Sequence, residues 1–389
     1  MPRGRPPPAP GASPEIVSDA DGENFMFLKI LFVACFLFGP SAVLAAGPGT
    51  TSANFLKIPV GARQTALGSA FTAVADDVNA IYYNPAGLAQ LERPEVTFVH
   101  SKYFEDISQQ WLAGALPSKA GVFGLGINYL SVPGFDAYDN SDNRTGSVSA
   151  YDLAANFSYA NRHTLNNAVF GSILYGANLK YLTERLDTEN ASGLGLDIGI
   201  LLKSKIKNLD AAFAADNAVS SKVKFIDDGF RLPLKFKTGL AYTIPYPKKH
   251  RTLLAVDWNF PKDNASYAAA GMETVLHDRI ALRAGYNSAG EISRGFSLGF
   301  GLKISVHNGR EIEVDYSWGN TYEFGNIQKM GILYRFGGAP PHPQIAEVKP
   351  QAAPKAAAYK EPGKKTGAKA SIVTTPPAKP GVRQVKTEK

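Results

Sequence analysis

The sequence predicts an all-β fold, a transmembrane antiparallel β-barrel of about fourteen strands with an N-terminal plug segment that contains short helices. Residues 94–336 alternate between apolar and polar side chains with a period of two, which places each set on one face of a strand. The stretch at 58–91 is apolar but does not alternate, so it needs the cover that a closed sheet with a lumen can supply. After residue 45, no apolar run approaches the roughly 20 residues of a membrane helix.

The first 45 residues predict export rather than a folded domain. The residues before Met26 are rich in Pro and then polar, and Met26 is the predicted true start of the chain. Lys29 precedes an apolar core at 30–38, and Val43-Leu44-Ala45 supplies a small-residue cleavage site, which together predict a signal peptide. A single membrane anchor is the alternative, but this run is shorter than the roughly 20 apolar residues that a spanning helix needs.

Residues 46–93 are the predicted plug segment. Within it, residues 64–75 are rich in Ala and other small residues and place three apolar side chains at helical spacing, which predicts a short helix. The three side chains are Leu67, Phe71 and Val74. The alternative for this pattern is an amphipathic helix on the surface of an ordinary domain.

An acidic pair and a chain break follow this predicted helix. Asp76 and Asp77 can end it or cap a second helical turn at 78–83. In the run Asn84-Pro85-Ala86-Gly87, Pro85 fixes its own φ and pushes Asn84 towards extended geometry. Gly87 permits a positive φ.

The remaining chain to residue 336 divides into alternating runs that are bounded by turn residues and predict the barrel strands. An even number of strands agrees with bacterial single-chain barrels and places both termini in the periplasm. The longest polar gaps, Val132–Ser147 and Ala218–Arg231, are predicted outer loops. The runs at 107–116 and 265–275 have the weakest pattern. The predicted strands are 95–103, 107–116, 121–131, 149–160, 168–184, 192–203, 206–216, 232–244, 251–260, 265–275, 278–287, 294–305, 310–319 and 326–336.

The polar face of these strands carries Gly, small residues and charges of both signs, which favours a barrel lumen over the shared core of a soluble β-sandwich. A buried charge without a partner costs several kcal/mol, so we expect mixed ion pairs rather than a selective ring of one sign. The predicted lumen-lining charges are Lys235, Lys237, Arg279, Arg283, Glu311, Glu313 and Asp315.

The last predicted strand ends in Lys329-Met330-Gly331-Ile332-Leu333-Tyr334-Arg335-Phe336. Its Lys329, Gly331, Tyr334 and Phe336 resemble the signal read by the outer-membrane barrel-assembly machinery, which makes that machinery and outer-membrane lipid predicted partners. An ordinary edge strand is the alternative. That signal usually closes the chain, whereas a tail follows here.

Residues 337–389 are predicted to be a disordered periplasmic tail, because they are rich in Pro, Ala and Lys and contain few large apolar residues. From Pro341 onward the chain has ten Lys or Arg and three Asp or Glu, which equals the whole net charge of +7. The rest of the chain is balanced, so a nucleic-acid partner is not indicated. The tail could contact the anionic cell wall, and a merely solvated tail is the alternative.

No catalytic, cofactor or metal site is predicted, so the sequence does not indicate an enzyme. Gly295-Phe296-Ser297-Leu298-Gly299 matches the G-x-S-x-G pattern, but it lies inside an alternating strand and not at the strand-to-helix elbow that a nucleophilic Ser297 needs. The six histidines are scattered without metal-ligand spacing. The only cysteine, Cys35, lies in the predicted signal peptide.

The segment GARQTALGSAFTAVADDVNAIYYNPAGLA at 61–89 strongly resembles the N-terminal signature of the PorV/PorQ family of outer-membrane proteins. That family is linked to type IX secretion and belongs to the FadL-like barrel group, so the resemblance implies a location in the outer membrane. The signature and plug residues are Gly61, Ala66, Leu67, Gly68, Phe71, Ala75, Asp76, Asp77, Asn84, Pro85, Ala86, Gly87 and Leu88.

Three functions are compatible with this sequence. The resemblance implies a non-enzymatic barrel that binds secreted proteins or secretion-system components during secretion or surface attachment. The apolar plug favours instead a FadL-like barrel that transports a hydrophobic small-molecule ligand, with residues 58–91 as a gated hatch. A third possibility is a barrel that only anchors the basic tail to the cell wall.

Overall fold

The computed structural model describes residues 47–165, 169–225, 228–289, 295–321 and 325–337. Fourteen antiparallel strands form a closed barrel, which confirms the predicted fold class. No helix in these ranges is long and apolar enough to cross a membrane. The predicted signal peptide, most of the predicted basic tail and both chain termini lie outside the described residues.

The strands pair with their neighbours in chain order, and β1 closes the barrel by pairing with β16 from Glu95↔Arg335 to Lys102↔Gln328. β8 and β9 form a separate hairpin, so β7 pairs with β10. The two weakly patterned runs are strands β2 and β12. The strands are β1 Glu95–Lys102, β2 Ser108–Ser118, β3 Gly121–Tyr138, β4 Arg144–Thr164, β5 Phe170–Leu186, β6 Glu189–Ser204, β7 Leu209–Ser220, β8 Lys222–Lys224, β9 Gly229–Arg231, β10 Lys235–Tyr246, β11 His250–Pro261, β12 Tyr267–Leu276, β13 Ile280–Asn287, β14 Gly295–Val306, β15 Arg310–Thr321 and β16 Gly325–Arg335.

The two ends of the barrel differ. At the short-turn end, where β1 begins and β16 ends, brief connections such as 119–120, 247–249 and 277–279 join the strands. At the opposite, long-loop end, β3 to β6 extend beyond their neighbours. The described chain begins at this long-loop end, where the backbone N–H of Ser52 donates to the carbonyl of Arg231 at 3.1 Å. It passes through the lumen and reaches β1 at the short-turn end.

The two predicted outer loops lie at the long-loop end but are largely strand. β3 and β4 stay paired from Phe135↔Val148 to Tyr138↔Arg144, and only 139–143 form a turn. The Pro133-Gly134 pair lies in a bulge between Val132 and Phe135, where the register of the two strands shifts. The other predicted loop contains the end of β7 and the β8–β9 hairpin.

The alternation sorts the strand side chains into two environments. In β10, Lys237 and Ala241 face inward and are buried, whereas Tyr242 points outward and is 42% exposed. Leu125 on β3 and Leu298 on β14 are among the many large apolar side chains exposed on the outer face. Such a continuous apolar exterior is typical of a barrel that faces lipid.

The lumen contains the predicted plug segment. Its α-helices are short, α1 at Ala62–Ala66 and α2 at Ala80–Tyr83, and 3₁₀ turns lie at Asn54–Lys57 and Pro85–Gln90. Further 3₁₀ turns at Phe104–Asp106 and His307–Gly309 connect strands. Apolar plug side chains are fully buried inside the barrel, which excludes a surface helix on an ordinary domain. They include Leu67, Phe71, Val78, Ile81 and Leu88.

The predicted helix over 64–75 is wrong beyond Ala66. Gly68 and Ser69 have positive φ angles of 65° and 68°, which end the helix. The backbone N–H groups of Phe71 and Thr72 then donate to the Asp257 carboxylate on β11, both at 2.9 Å, instead of forming helical bonds. A carboxylate from the wall therefore replaces the helical hydrogen bonds of the Phe71 and Thr72 N–H groups.

Candidate functional site

The plug backbone lies directly against the barrel wall at glycines. A Cβ atom added at Gly285 would lie 2.1 Å from the backbone nitrogen of Gly68, and one at Gly271 would lie 2.5 Å from the carbonyl oxygen of Leu67. On the other side of the barrel, a Cβ at Gly176 would lie 2.6 Å from the backbone of Pro85. Because any larger residue would clash there, glycine in the wall lets plug and strands pack backbone to backbone.

Polar side chains of the wall bind the plug backbone. Asp257 also accepts a hydrogen bond from the hydroxyl of Thr72 at 2.7 Å. The Ser297 hydroxyl accepts from the Gly68 backbone N–H and donates to the carbonyl of Ala66, both at 3.2 Å. Asn287 donates to the carbonyl of Gly68 at 2.9 Å. Ser297 therefore fixes the end of α1.

Further contacts hold the plug to strands elsewhere in the wall. The ammonium of Lys237 donates to the carbonyl of Tyr83, and the indole N–H of Trp111 on β2 donates to the side-chain oxygen of Asn79 at 2.9 Å. Glu95 at the start of β1 accepts from the backbone N–H of Val78 at 3.0 Å. The plug is thus bound to strands on all sides of the lumen.

A network of buried ion pairs joins the plug to the wall near the short-turn end. Arg63 of α1 is 5% exposed and bonds the two oxygens of Glu273 on β12, at 2.8 and 2.9 Å. It also pairs with plug residues Asp76 and Asp77, the latter at 3.1 Å. Asp77 in turn accepts from the backbone N–H of Asn79 at 2.8 Å, just before α2 begins. One guanidinium therefore joins two plug segments to the wall.

The network continues along the wall. Arg283 on β13 pairs with Glu273 at 2.6 Å, with Glu313 at 2.9 Å and with Asp315. Arg335 pairs with Glu313 at 2.7 Å and also binds Glu95 and Glu311. Glu273 and Glu313 each bridge two arginines, so the network behaves as one connected unit.

The structure places the predicted lumen charges as follows. Lys237, Arg283, Glu313 and Asp315 are buried and face inward, and Lys235 and Glu311 are half-buried. Six of the seven lie in ion pairs with opposite charges, as the burial argument requires. Arg279 does not line the lumen. It is exposed in the turn at 277–279, because β13 begins one residue later at Ile280.

The signature residues of the plug are buried except Asp76, whose side chain is 43% exposed, and the role of one glycine differs from the prediction. Asn84 has the predicted extended backbone, with φ of −160°, and its side chain donates to the carbonyl of Thr72 at 2.8 Å. Gly87 does not have a positive φ. A glycine is needed there because a Cβ would lie 2.2 Å from the carbonyl oxygen of Ala75. Gly61 and Gly68 do have positive φ, of 80° and 65°.

The residues of the predicted assembly signal lie on two faces of β16. Lys329 is buried and donates to the plug carbonyl of Pro59, and Gly331 also faces the lumen. Tyr334 and Phe336 lie outside, with ring centroids 4.7 Å apart. Recognition by the assembly machinery stays a prediction.

A cavity of about 250 Å³ lies above the plug at the long-loop end. Leu56, Ile58 and Tyr82 of the plug form an apolar base, and the Tyr82 hydroxyl donates to the carbonyls of Leu56 and Ile58. Around this base lie Tyr267 and a polar rim of Lys57, Lys180, Lys235, Asp216 and Asp263. The sequence gives no signal for this site, because the lining comes from many separate segments that share no motif.

The polar rim of the cavity is internally compensated. Lys57 pairs with Asp263 at 2.6 Å, Lys235 with Asp216 at 3.3 Å, and Lys180 with Asp197 at 2.8 Å. Burial acts to raise the pKa of the Asp263 carboxyl, but hydrogen bonds from Lys57 and Thr51 outweigh it and hold this pKa below its ordinary value. Residues 47–57, here called the strap, are thereby fastened across the cavity.

Two buried acceptors beside the cavity have no hydrogen-bond partner within the described ranges. They are Oδ1 of Asn217 and Oδ1 of Asp263, and both residues line the cavity. In those same ranges, no group of three or more His, Cys, Asp or Glu is arranged to hold a metal ion. The site is thus a small cavity of mixed polarity above a tightly packed plug.

Together, the closed sheet, the apolar exterior and the internal plug define an outer-membrane type of β-barrel. A family model described as "Uncharacterised protein family (UPF0164)" matches residues 42–194. A UPF0164 protein of Treponema pallidum (strain Nichols) is 25% identical over 197 residues, which are 46% of this chain and 46% of that protein. The chain thus aligns with about half the length of this curated relative.

Solved structures with a similar fold are barrels described as transporters or channels. The toluene transporter TodX of Pseudomonas putida has a TM-score of 0.50 at 12% identity, over 71% of this chain and 97% of that chain. The toluene transporter TbuX of Ralstonia pickettii has a TM-score of 0.50 at 13% identity, with the same 71% and 97% coverage. The CymD monoaromatic hydrocarbon channel has a TM-score of 0.51 at 10% identity, over 73% and 99%. These likenesses support the fold, and they do not show the PorV/PorQ family that the signature predicted.

Proposed function

We propose that this protein resides in the outer membrane and passes a small hydrophobic molecule across it, with the plug as the gate. The observation that carries the proposal is the cavity of about 250 Å³ immediately above the plug. An apolar cavity of roughly 150 Å³ is large enough for benzene, so this volume suits one compact aromatic or short aliphatic molecule. The three transporter-like barrels that share the fold support the same function.

The lining of the cavity gives the ligand a defined chemistry. Leu56, Ile58 and Tyr82 offer an apolar base, while the paired lysines and carboxylates form the rim. Since those charges already satisfy one another, the rim does not demand a charged ligand. The cavity is therefore suited to a neutral molecule with a large apolar part, which binds mainly by displacing water from the base.

Passage requires the plug to move. Wall glycines at 176, 271 and 285 are in direct backbone contact with the plug, so the lumen below the cavity is filled. Short turns of bacterial barrels face the periplasm, which orients the cavity towards the cell exterior. The ligand enters the cavity from the exterior and remains bound there until the plug shifts.

The test is a binding measurement with a cavity-filling variant. Ala289 lines the cavity, so Ala289→Trp should occupy it. Exposed Ala120 in the turn between β2 and β3 provides the matched control Ala120→Trp at the far end. With detergent-purified protein and 4-fluorotoluene followed by ¹⁹F NMR, Ala289→Trp should weaken binding at least about tenfold, or 1.4 kcal/mol. Equal binding by all three proteins would contradict the cavity as the ligand site.

A second candidate function is the secretion role implied by the PorV/PorQ resemblance. One structural observation favours it: the β3–β4 hairpin projects beyond the neighbouring strands and exposes Phe135 (55%) and Tyr138 (58%). Secreted proteins or secretion-system components could contact these side chains. Replacing both with Ser should then release proteins from the cell surface without changing 4-fluorotoluene binding. Retention of those proteins would remove this hairpin from the mechanism.

A further inference from the structure

The short-turn end of the barrel carries a rim of exposed cationic side chains. Each connection at this end, or the strand end beside it, contributes at least one, so the cations are distributed around the whole circumference. We call this set the basic rim. It consists of Lys119, Arg162, Lys205, Lys207, Lys248, Lys249, Arg279 and Arg310.

Within the described ranges, ion pairs do not neutralise the basic rim. Other cations at the same end are paired, such as Lys203 with Asp210 at 2.6 Å and Arg251 with Asp278 at 3.2 Å. In the part of the chain that the structure describes, no ion pair is formed by any member of the basic rim. The rim therefore has a local excess of positive charge that needs an external counter-ion.

The long-loop end differs in sign pattern. Its exposed residues include the acids Glu105, Asp139 and Asp187 alongside cations such as Lys222 and Lys262. Several charges there are already paired, as in Arg144 with Asp136 at 2.8 Å. The short-turn end also exposes the acids Glu92 and Asp278, and Asp278 is paired with Arg251. An excess of unpaired cations is thus a property of the short-turn end and not of exposed connections in general.

The position of the basic rim relative to the apolar exterior indicates its partner. Tyr246 is 49% exposed just before Lys248, Val306 is 39% exposed shortly before Arg310, and Ile280 is 39% exposed beside Arg279. The rim therefore begins where the lipid-facing band ends, which is the depth of the headgroups. Long Lys and Arg side chains can extend from this depth into the headgroup layer.

We propose that the basic rim binds anionic phospholipid headgroups of the leaflet that surrounds the short-turn end. Negative phosphates complement the unpaired ammonium and guanidinium groups, and juxtamembrane cations are attracted to anionic leaflets. The circular arrangement favours lipid over a polymer, since lipids touch every strand whereas one polymer would meet one side. This binding is independent of the cavity and of the proposed transport.

The experiment is native mass spectrometry of the full barrel, extracted from nanodiscs that contain equal amounts of phosphatidylethanolamine and phosphatidylglycerol. The rim variant combines Lys205→Gln, Lys207→Gln, Lys248→Gln and Lys249→Gln. The matched control removes four exposed lysines from the long-loop end by Lys102→Gln, Lys222→Gln, Lys224→Gln and Lys262→Gln. Both variants lose four positive charges, from opposite ends of the barrel; of the control lysines, Lys102 is paired with Asp106 at 3.2 Å.

The rim variant should retain at least about threefold less phosphatidylglycerol relative to phosphatidylethanolamine, while the control matches the unaltered protein. Raising the salt from about 0.1 M to 1 M shortens the screening length to about 3 Å and should remove the preference. Equal retention by both variants, or a preference that survives in the rim variant, would overturn the proposal. A third result would also overturn it: the rim variant keeps its lipid retention but no longer binds sedimented cell wall. In that case the partner of the rim would be the cell-wall polymer and not lipid. Unchanged 4-fluorotoluene binding in the rim variant separates this outcome from the transport proposal.

Discussion

The two halves of the plug are held to the barrel by different kinds of interaction. Towards the short-turn end, Arg63 joins plug and wall through ion pairs, and further along the lumen wall glycines allow direct backbone contact. Towards the long-loop end, the plug borders a cavity of about 250 Å³ that is covered by the strap. The same segment thus contains a region fixed by charge and close packing and a region with free volume.

Under the proposed function, this difference would let one plug both seal the barrel and respond to a ligand. Buried charge pairs depend on one another, because removing one partner leaves other charges less well compensated. A cavity reduces stability only by the van der Waals contacts that its lining side chains lack, and a bound ligand can restore those contacts. We therefore expect the ionic half to determine whether the plug stays seated and the cavity half to determine what the protein binds.

The largest expected effect comes from removing the shared cation of the ionic half. Arg63→Gln leaves Asp76 and Asp77 without a guanidinium and leaves Glu273 paired with Arg283 alone, which should cost about 3–5 kcal/mol of plug docking. The plug should become accessible to protease, and planar bilayers that contain the variant should show ion current. The matched control is Arg93→Gln, which breaks a more exposed pair with Glu311. Because exposed pairs contribute about 0–1 kcal/mol, a variant at position 63 that behaves like this control would refute the role of the network.

A smaller effect is expected from steric insertion at the wall. Gly285→Ala places a Cβ 2.1 Å from the backbone of Gly68, so the plug must shift, at about 1–3 kcal/mol. Gly146→Ala on β4 is the control, since nothing lies within 4 Å of its Cβ. Urea unfolding followed by the band shift between folded and unfolded barrel on gels should separate the two variants. Equal midpoints would show that the plug does not rest on the wall at Gly285.

The smallest effect is expected at the strap. Asp263→Asn removes the carboxylate that holds Lys57 and Thr51, which should loosen the strap by about 1–2 kcal/mol without unseating the plug. A nitroxide attached at Pro48→Cys should gain mobility at pH 7. Because the pKa of Asp263 is depressed, its contribution is complete above the ordinary value of about 3.9 and is lost as the pH falls through the lower folded value. The otherwise unaltered protein should therefore loosen only below about pH 4, and loosening near neutral pH would contradict this assignment.

Structural features that leave a pattern in the local sequence were predicted well. Alternation located all fourteen strands, including the weakly patterned β2 and β12, because the period of two is imposed by the strand itself. The helix over 64–75 failed for the opposite reason. Its small residues satisfy a helical pattern, but the carboxylate that captures Phe71 and Thr72 comes from Asp257, 186 and 185 residues away in the sequence.

The sequence by itself determined the barrel, the strand count, the inward placement of most of the polar set and the presence of a plug, because these follow from periodicity along one chain segment. Only the tertiary structure decided that Arg63 pairs with Glu273 and that a cavity lies above Tyr82. It also decided that position 87 needs glycine because the carbonyl of Ala75 lies close to it, and not because of a positive φ. Closure of the sheet brings these distant residues together. Their contacts depend on the register of the strands and on the path of the plug, and neither can be predicted from local composition.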